Sequence, residues 1–154
     1  MTLTLDVINA LDEPGFVAAL GDVCAHAPWA AARAWASRPF ATVAALHMAL
    51  FNAVRGQAPA ARLAFFNAHA GLDAALVTPA ERARMGQLCA AYRSRFGFPF
   101  ILCARLHDSA GILRALEQRL KRDLASERDA TMHETFLTIR QNLADRIQGA
   151  SGNG

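Results

Sequence analysis

Apolar residues recur along most of this chain at three- and four-residue spacing, the period of a helix with one buried face. A short helix is expected over Asp6 to Leu11. Asp12-Glu13-Pro14 then reads as a start signal, a capping acid followed by a proline in the first turn, where its missing N–H costs nothing. Phe16, Val17, Leu20, Val23 and Cys24 share one face after it, so that helix is expected to run on to His26-Ala27-Pro28. Trp29 to Ala36 reads as a third, ended by Arg38-Pro39. Thr42 caps a fourth, with Val43, Leu46, Leu50 and Val54 inward and Gly56 at its end, and Pro59 opens a fifth to about Ala68. Thr78-Pro79-Ala80-Glu81 has the spacing of a capping box, and Met85, Leu88, Cys89 and Tyr92 follow on one face. Asp108 or Ser109 caps the next helix, with Ile112, Leu113, Leu116 and Leu120 inward. Ser126-Glu127-Arg128-Asp129 is expected to open the last, whose stripe is Met132, Phe136, Ile139, Leu143 and Ile147.

No alternating strand pair, hairpin signal, internal repeat or long linker interrupts this pattern. It predicts an all-α fold, a single compact domain of about seven or eight helices over residues 1–148, with 149–154 as a flexible tail. The last two long helices are expected to pack antiparallel across a turn at Asp123 to Ala125.

One stretch departs from helical spacing: Phe96-Gly97-Phe98-Pro99-Phe100-Ile101-Leu102-Cys103-Ala104-Arg105. Pro99 cannot donate a backbone hydrogen bond and pushes Phe98 towards extended backbone. The segment therefore reads as an apolar extended strip between two helices, ending in a cation. Extended backbone among helices has N–H and C=O groups that need partners, and a small polar ligand is one candidate. The other is that Phe98, Phe100 and Ile101 are core and Arg105 a solvated end.

Composition narrows the field. The 154 residues are 53% hydrophobic and 19% charged, enough to bury a core and far from the composition of a disordered chain. The net charge of +3 is small and diffuse, which argues against nucleic acid as a partner. The basic run Arg114, Arg119, Lys121 and Arg122 is interrupted by Glu117 and Asp123 and reads as a solvated helix face. Three scattered cysteines, Cys24, Cys89 and Cys103, in apolar surroundings are expected to be buried free thiols of a reducing compartment. The first residues show no secretory pattern, and no uncharged apolar stretch reaches membrane-spanning length, so a cytoplasmic protein without a membrane partner is expected. No Cys-x-x-Cys, His-Glu-x-x-His or phosphate-binding glycine loop is present, which predicts no metal site. His47 and His133 sit within helical patterns at the core edge or surface. His107 follows Arg105 in a turn that could lie near a pocket mouth. His69, in Asn67-Ala68-His69-Ala70-Gly71-Leu72, closes the fifth helix, where a cation complements the helix dipole.

Phe-Gly-Phe-Pro-Phe-Ile followed by a short apolar run and Arg105 resembles the signature of the 2-oxo-4-hydroxy-4-carboxy-5-ureidoimidazoline (OHCU) decarboxylase family. Ala25-His26-Ala27-Pro28-Trp29 is similar to that family's Glu-His-Ser-Pro-Trp, and Arg38-Pro39-Phe40 to its Arg-Pro-Phe. His69-Ala70-Gly71-Leu72 falls where the family carries His-Pro-x-Leu, without the proline. The order agrees along nearly the whole chain. The resemblance implies a cofactor-free decarboxylase of urate catabolism that yields S-allantoin and works as a homodimer on a small ureidoimidazoline. It makes His69 the catalytic acid–base group. Phe98, Pro99, Phe100, Ile101 and Leu102 become the substrate-binding wall, and Arg105 the ligand anchor.

Two features of the family are missing. Its Ser-x-x-Glu-Gln segment, whose Glu joins the histidine in catalysis, has no counterpart after His69, and Glu81 is already committed to a capping box. Leu137 stands where the last helix tends to carry an arginine, with Arg140 one turn on. The chain is therefore either a shortened relative or a sequence from which residues have been left out. The competing function is a protein of this fold without the activity, an inactive ureide-binding or assembly module. A helical DNA-binding regulator is a third, and it requires a basic recognition face that the mixed charges after Arg114 do not supply.

Overall fold

The computed structural model describes residues 3–69 and 78–148. Within them the chain forms eight α-helices: α1 (Leu5–Ala10), α2 (Glu13–Leu20), α3 (Trp29–Trp35), α4 (Val43–Arg55), α5 (Pro59–Asn67), α6 (Pro79–Phe96), α7 (Ser109–Arg119) and α8 (Leu124–Arg146). A 3-10 turn spans Ala104–Leu106. The β pairing among the described residues is one isolated bridge between Leu3 and Ile147, beside which the Gln148 N–H donates to the Leu3 carbonyl. The fold is all-α, as the apolar spacing predicts. No helix among the described residues is long and apolar enough to cross a membrane. The expected tail at 149–154 lies outside the described residues, as does Ala70-Gly71-Leu72-Asp73.

Side-chain caps set most helix starts. Thr4, Asp12, Thr42 and Asp108 each accept a hydrogen bond from the backbone N–H three residues on, which satisfies one of the amides a helix leaves unpaired. Asp108, rather than Ser109, is thus the cap of α7. Thr78 and Glu81 form the reciprocal capping box read from the sequence.

Two boundaries differ from expectation. The second helix stops at Leu20 rather than near His26. Beyond Gly21 the bonds shorten to three-residue turns, Val23 to Leu20 and Ala27 to Cys24, and His26 adopts a left-handed φ of 63°. Val23, Cys24 and Ala27 stay buried, so the apolar face outlasts the helix. The last helix begins at Leu124, two residues before Ser126. Asp123 takes the N-cap role by accepting the Ser126 N–H at 2.8 Å and the Ser126 hydroxyl at 3.1 Å, so the α7–α8 connection comes earlier than Asp123 to Ala125.

The helices gather into two compact units. The first holds residues 3–62 and 136–148. In it α2 packs on α3 and α3 on α4, and Ile8, Phe16, Leu20, Leu46 and Leu50 are fully buried. Burying one such side chain contributes on the order of 1.5–3 kcal/mol. The second holds residues 63–69 and 78–135, in which α6 packs on α7 and Tyr92, Phe98, Ile112, Leu116 and Glu127 are fully buried.

Candidate active site

The strip begins where α6 ends. Gly97 terminates that helix with φ 81°, and its N–H donates to the Arg93 carbonyl at 2.9 Å. A Cβ there would meet nothing within 4 Å, so the left-handed backbone, not crowding, selects glycine. Residues 98–103 then run without helix. Their side chains go into the core of the second unit. Phe98, Pro99, Phe100 and Ile101 are buried, Leu102 is half-buried, and Arg105 is exposed on the 3-10 turn. Phe98 packs against Phe66 at 5.2 Å and edge-on to Tyr92 at 5.9 Å, and Phe100 meets Tyr92 at 5.3 Å. With the rings turned inward, the strip's contribution to a polar ligand falls to its backbone.

The strip's backbone is held by a group the sequence pattern hides. Arg119 is 6% exposed, which corrects its reading as part of a solvated face. Its neighbours Arg114, Lys121 and Arg122 are exposed as expected. Arg119 lies on the same face as Ile112 and Leu116, seven and three residues earlier, and that periodicity is the signal that could have found it. Its Nε donates to Glu127 Oε1 at 2.7 Å, its Nη1 to the Ile101 carbonyl at 2.7 Å, and its Nη2 to the Thr131 hydroxyl at 3.2 Å. The guanidinium lies 4.7 Å from the Phe100 ring centroid. Tyr92 donates its hydroxyl to the same Glu127 Oε1 at 2.6 Å, and burial, with that carboxylate adding to it, pushes the phenol well above its usual range. Glu127 Oε2 is buried without a hydrogen-bond partner among the described residues. Thr131 and Thr135 return their hydroxyls to the carbonyls of Glu127 and Thr131, so these two α8 hydroxyls are buried without being left unpaired.

His69 lies two residues beyond α5 and is half-buried. Its Nδ1 is 2.9 Å from the Phe65 carbonyl and its ring stands edge-on to Phe65 at 4.9 Å. A carbonyl only accepts, so Nδ1 carries the proton and the neutral ring keeps its lone pair on Nε2. The end of α5 is tied to the strip: Asn67 donates its amide to the Gly97 carbonyl at 3.3 Å, and Phe66 packs on Phe98. His69 and the strip thus belong to one framework. Arg105 lies further along, past the Cys103 N–H, which donates to Glu134 Oε2 at 2.9 Å. A groove of about 540 Å³ opens over Leu102, His107, Arg119, Arg122, His133 and Glu134, among others. His107 lines this groove, and His69 is not among its lining residues.

The other residues singled out are structural. Arg38 stacks 4.1 Å over Trp35 and donates to the carbonyls of Asn9, Leu11 and Trp35. His47 is buried, its Nε2 2.9 Å from the Phe136 carbonyl and its ring 4.1 Å from that of Phe136. All three cysteines are free thiols. Cys24 and Cys103 are buried and Cys89 is half-buried, and burial pushes the Cys24 thiol up to about 12. No group of three or more His, Cys, Asp or Glu among the described residues is placed to hold a metal ion.

The family model described as OHCU decarboxylase matches this chain twice, over residues 9–77 and 70–141. Both matches include residues 70–77. The chain is 31% identical to the 2-oxo-4-hydroxy-4-carboxy-5-ureidoimidazoline decarboxylase of Haloferax volcanii, covering 94% of this chain and 96% of that protein. It is also 31% identical to the Bos taurus enzyme of the same name, covering 94% and 98%. The Haloferax alignment runs to 162 positions, longer than the 154 residues available, so it opens gaps opposite this chain. A crystal structure of (S)-allantoin synthase superposes with a TM-score of 0.82 at 26% identity, covering 94% of this chain and 54% of that one. The chain therefore spans about half the length of that structure's chain.

Proposed function

From the premise that the chain belongs to the OHCU decarboxylase family, we propose that it decarboxylates 2-oxo-4-hydroxy-4-carboxy-5-ureidoimidazoline to S-allantoin, with His69 as the acid–base group. The observation that carries this is the hydrogen bond from His69 Nδ1 to the Phe65 carbonyl, which fixes the ring two residues past Asn67, whose amide donates to the Gly97 carbonyl of the strip. The substrate carbon that bears the carboxylate also bears a hydroxyl and adjoins an imine-like carbon. When its bond to CO2 breaks, the electron pair flows into the imine, whose nitrogen takes a proton from water. His69 Nε2 accepts the hydroxyl proton as the carbonyl forms and returns one to the ureido-bearing carbon, on a single face. The ring itself absorbs the electron pair, so the step needs no metal and no carbonyl cofactor. The backbone of Phe98 to Leu102 binds the polar ring and ureido atoms, and Arg105 anchors the ligand's charge. In this reading residues 1–148 act as one domain, and the enzyme works as a homodimer in the cytoplasm.

The gaps that the Haloferax alignment opens opposite this chain favour a second reading. A chain short of the Glu-bearing segment keeps the fold and binds a ureide without turning it over. A coupled assay separates the two: urate oxidation product is generated freshly, the protein is added, and allantoin chirality is followed by circular dichroism. S-allantoin appearing above the racemic background is the expected result, and His69→Ala abolishes it with little change in Tm. A folded wild-type protein without acceleration would leave the binding module.

A further inference from the structure

We propose that Arg119 and Glu134 are positioning residues that clamp the strip's backbone at Ile101 and Cys103 and so present Leu102 to the ligand. This deepens the reading above and rests on it. Non-helical backbone has no intrahelical partners and would sample several conformations if left alone. Here a donor from α7 and an acceptor from α8 hold it at two points. Arg119 Nη1 donates to the Ile101 carbonyl at 2.7 Å, and Glu134 Oε2 accepts the Cys103 N–H at 2.9 Å. Both bonds use a charged group, which makes them stronger than neutral ones.

The two anchored residues are two apart. They flank Leu102, so that residue is held between two fixed backbone points. Arg119 is itself fixed: Glu127 holds Nε, Thr131 holds Nη2, and Phe100 lies under the guanidinium plane. Nη1 can move little without breaking those contacts. The clamp therefore transmits a rigid geometry, and the backbone groups of Leu102 become the ones whose position decides ligand affinity.

Glu134 supplies the test, because it is half-buried and its replacement leaves the Arg119–Glu127 pair intact. Steady-state kinetics on the full chain compare wild type with Glu134→Ala, Glu134→Gln and the control Arg128→Ala, an exposed α8 residue outside the groove. Loss of one such hydrogen bond is expected to raise KM about tenfold in Glu134→Ala with kcat within about threefold, since binding geometry and not proton transfer is disturbed. Glu134→Gln keeps an acceptor oxygen and restores KM to within about threefold, while Arg128→Ala leaves it unchanged. Wild-type KM in Glu134→Ala, or no rescue by Glu134→Gln, overturns the clamp. If the wild type shows no turnover, the decarboxylase reading fails on its own, and amide hydrogen exchange decides the clamp. Its expected sign is a Cys103 N–H exchanging about tenfold faster in Glu134→Ala than in wild type and protected again in Glu134→Gln. Equal rates in all three would remove it.

Discussion

The two units bury different things. Of the five buried polar side chains among the described residues, His47 alone lies in the first unit, while Arg119, Glu127, Thr131 and Thr135 lie in the second. In the first unit polar bonds sit at ends and edges: Asn9 with the Phe40 backbone, the Trp35 indole on the Leu11 carbonyl, Asn142 on the Val23 carbonyl. Apart from His47 and Cys24, its buried side chains among the described residues are aliphatic and aromatic. The second unit carries a guanidinium and a carboxylate through its centre. An apolar core loses stability in proportion to the atoms removed, whereas a charged core fails when one partner is left alone.

The sharpest way to break this contrast is Arg119→Ala. It strands the fully buried Glu127 carboxylate, and denaturant unfolding is expected to show a loss of about 3–5 kcal/mol. Replacing both, as Arg119→Met with Glu127→Leu, is expected to recover most of that loss. A double variant no better than the single would place the cost in packing instead. Leu50→Ala is the counterpart in the first unit, with an expected loss of about 2–4 kcal/mol and no partner able to rescue it.

His47 gives a smaller effect. Burial holds its imidazole below the ordinary 6.5, outweighing the Phe136 carbonyl that raises it, and Arg140 adds to the lowering. The folded state therefore favours the neutral ring, while the unfolded chain takes up a proton near 6.5. That stability is present above about pH 6.5 and is lost as pH falls below it towards the folded value. Tm is expected to fall between about pH 7 and pH 5 more steeply in wild type than in His47→Gln, and equal slopes would clear His47. The smallest effect belongs to Asp22, whose carboxyl is lowered chiefly by its hydrogen bond from Arg146, with the charge of Arg146 adding to it. The pair is mostly exposed, so Asp22→Asn is expected to change stability by less than about 1 kcal/mol.

The same contrast explains what could be read from sequence. In the first unit Leu46, Leu50 and Val54 declare themselves by spacing, and Asp12 and Thr42 by capping chemistry. In the second, the capping box at Thr78 and the glycine and proline that open the strip were legible for the same local reasons. Arg119 was not, because a charge among other charges reads as solvated until tertiary structure supplies Glu127, Tyr92 and the Ile101 carbonyl, all distant along the chain except Glu127. Glu134 was missed because its partner is the backbone N–H of Cys103, and a main-chain amide leaves no mark in sequence. The strip itself was readable as an interruption, but whether its rings or its backbone faced a ligand depended on where Phe66 and Tyr92 came to lie.

The shared bond between Arg119 and Glu127 has a consequence for heredity. A lineage that loses either residue first must pass through a protein with a bare charge in its interior, while a lineage that loses both together need not. The intermediate is the deep point of that path, whichever residue goes first. Two positions eight residues apart are therefore expected to be passed on, or given up, as one.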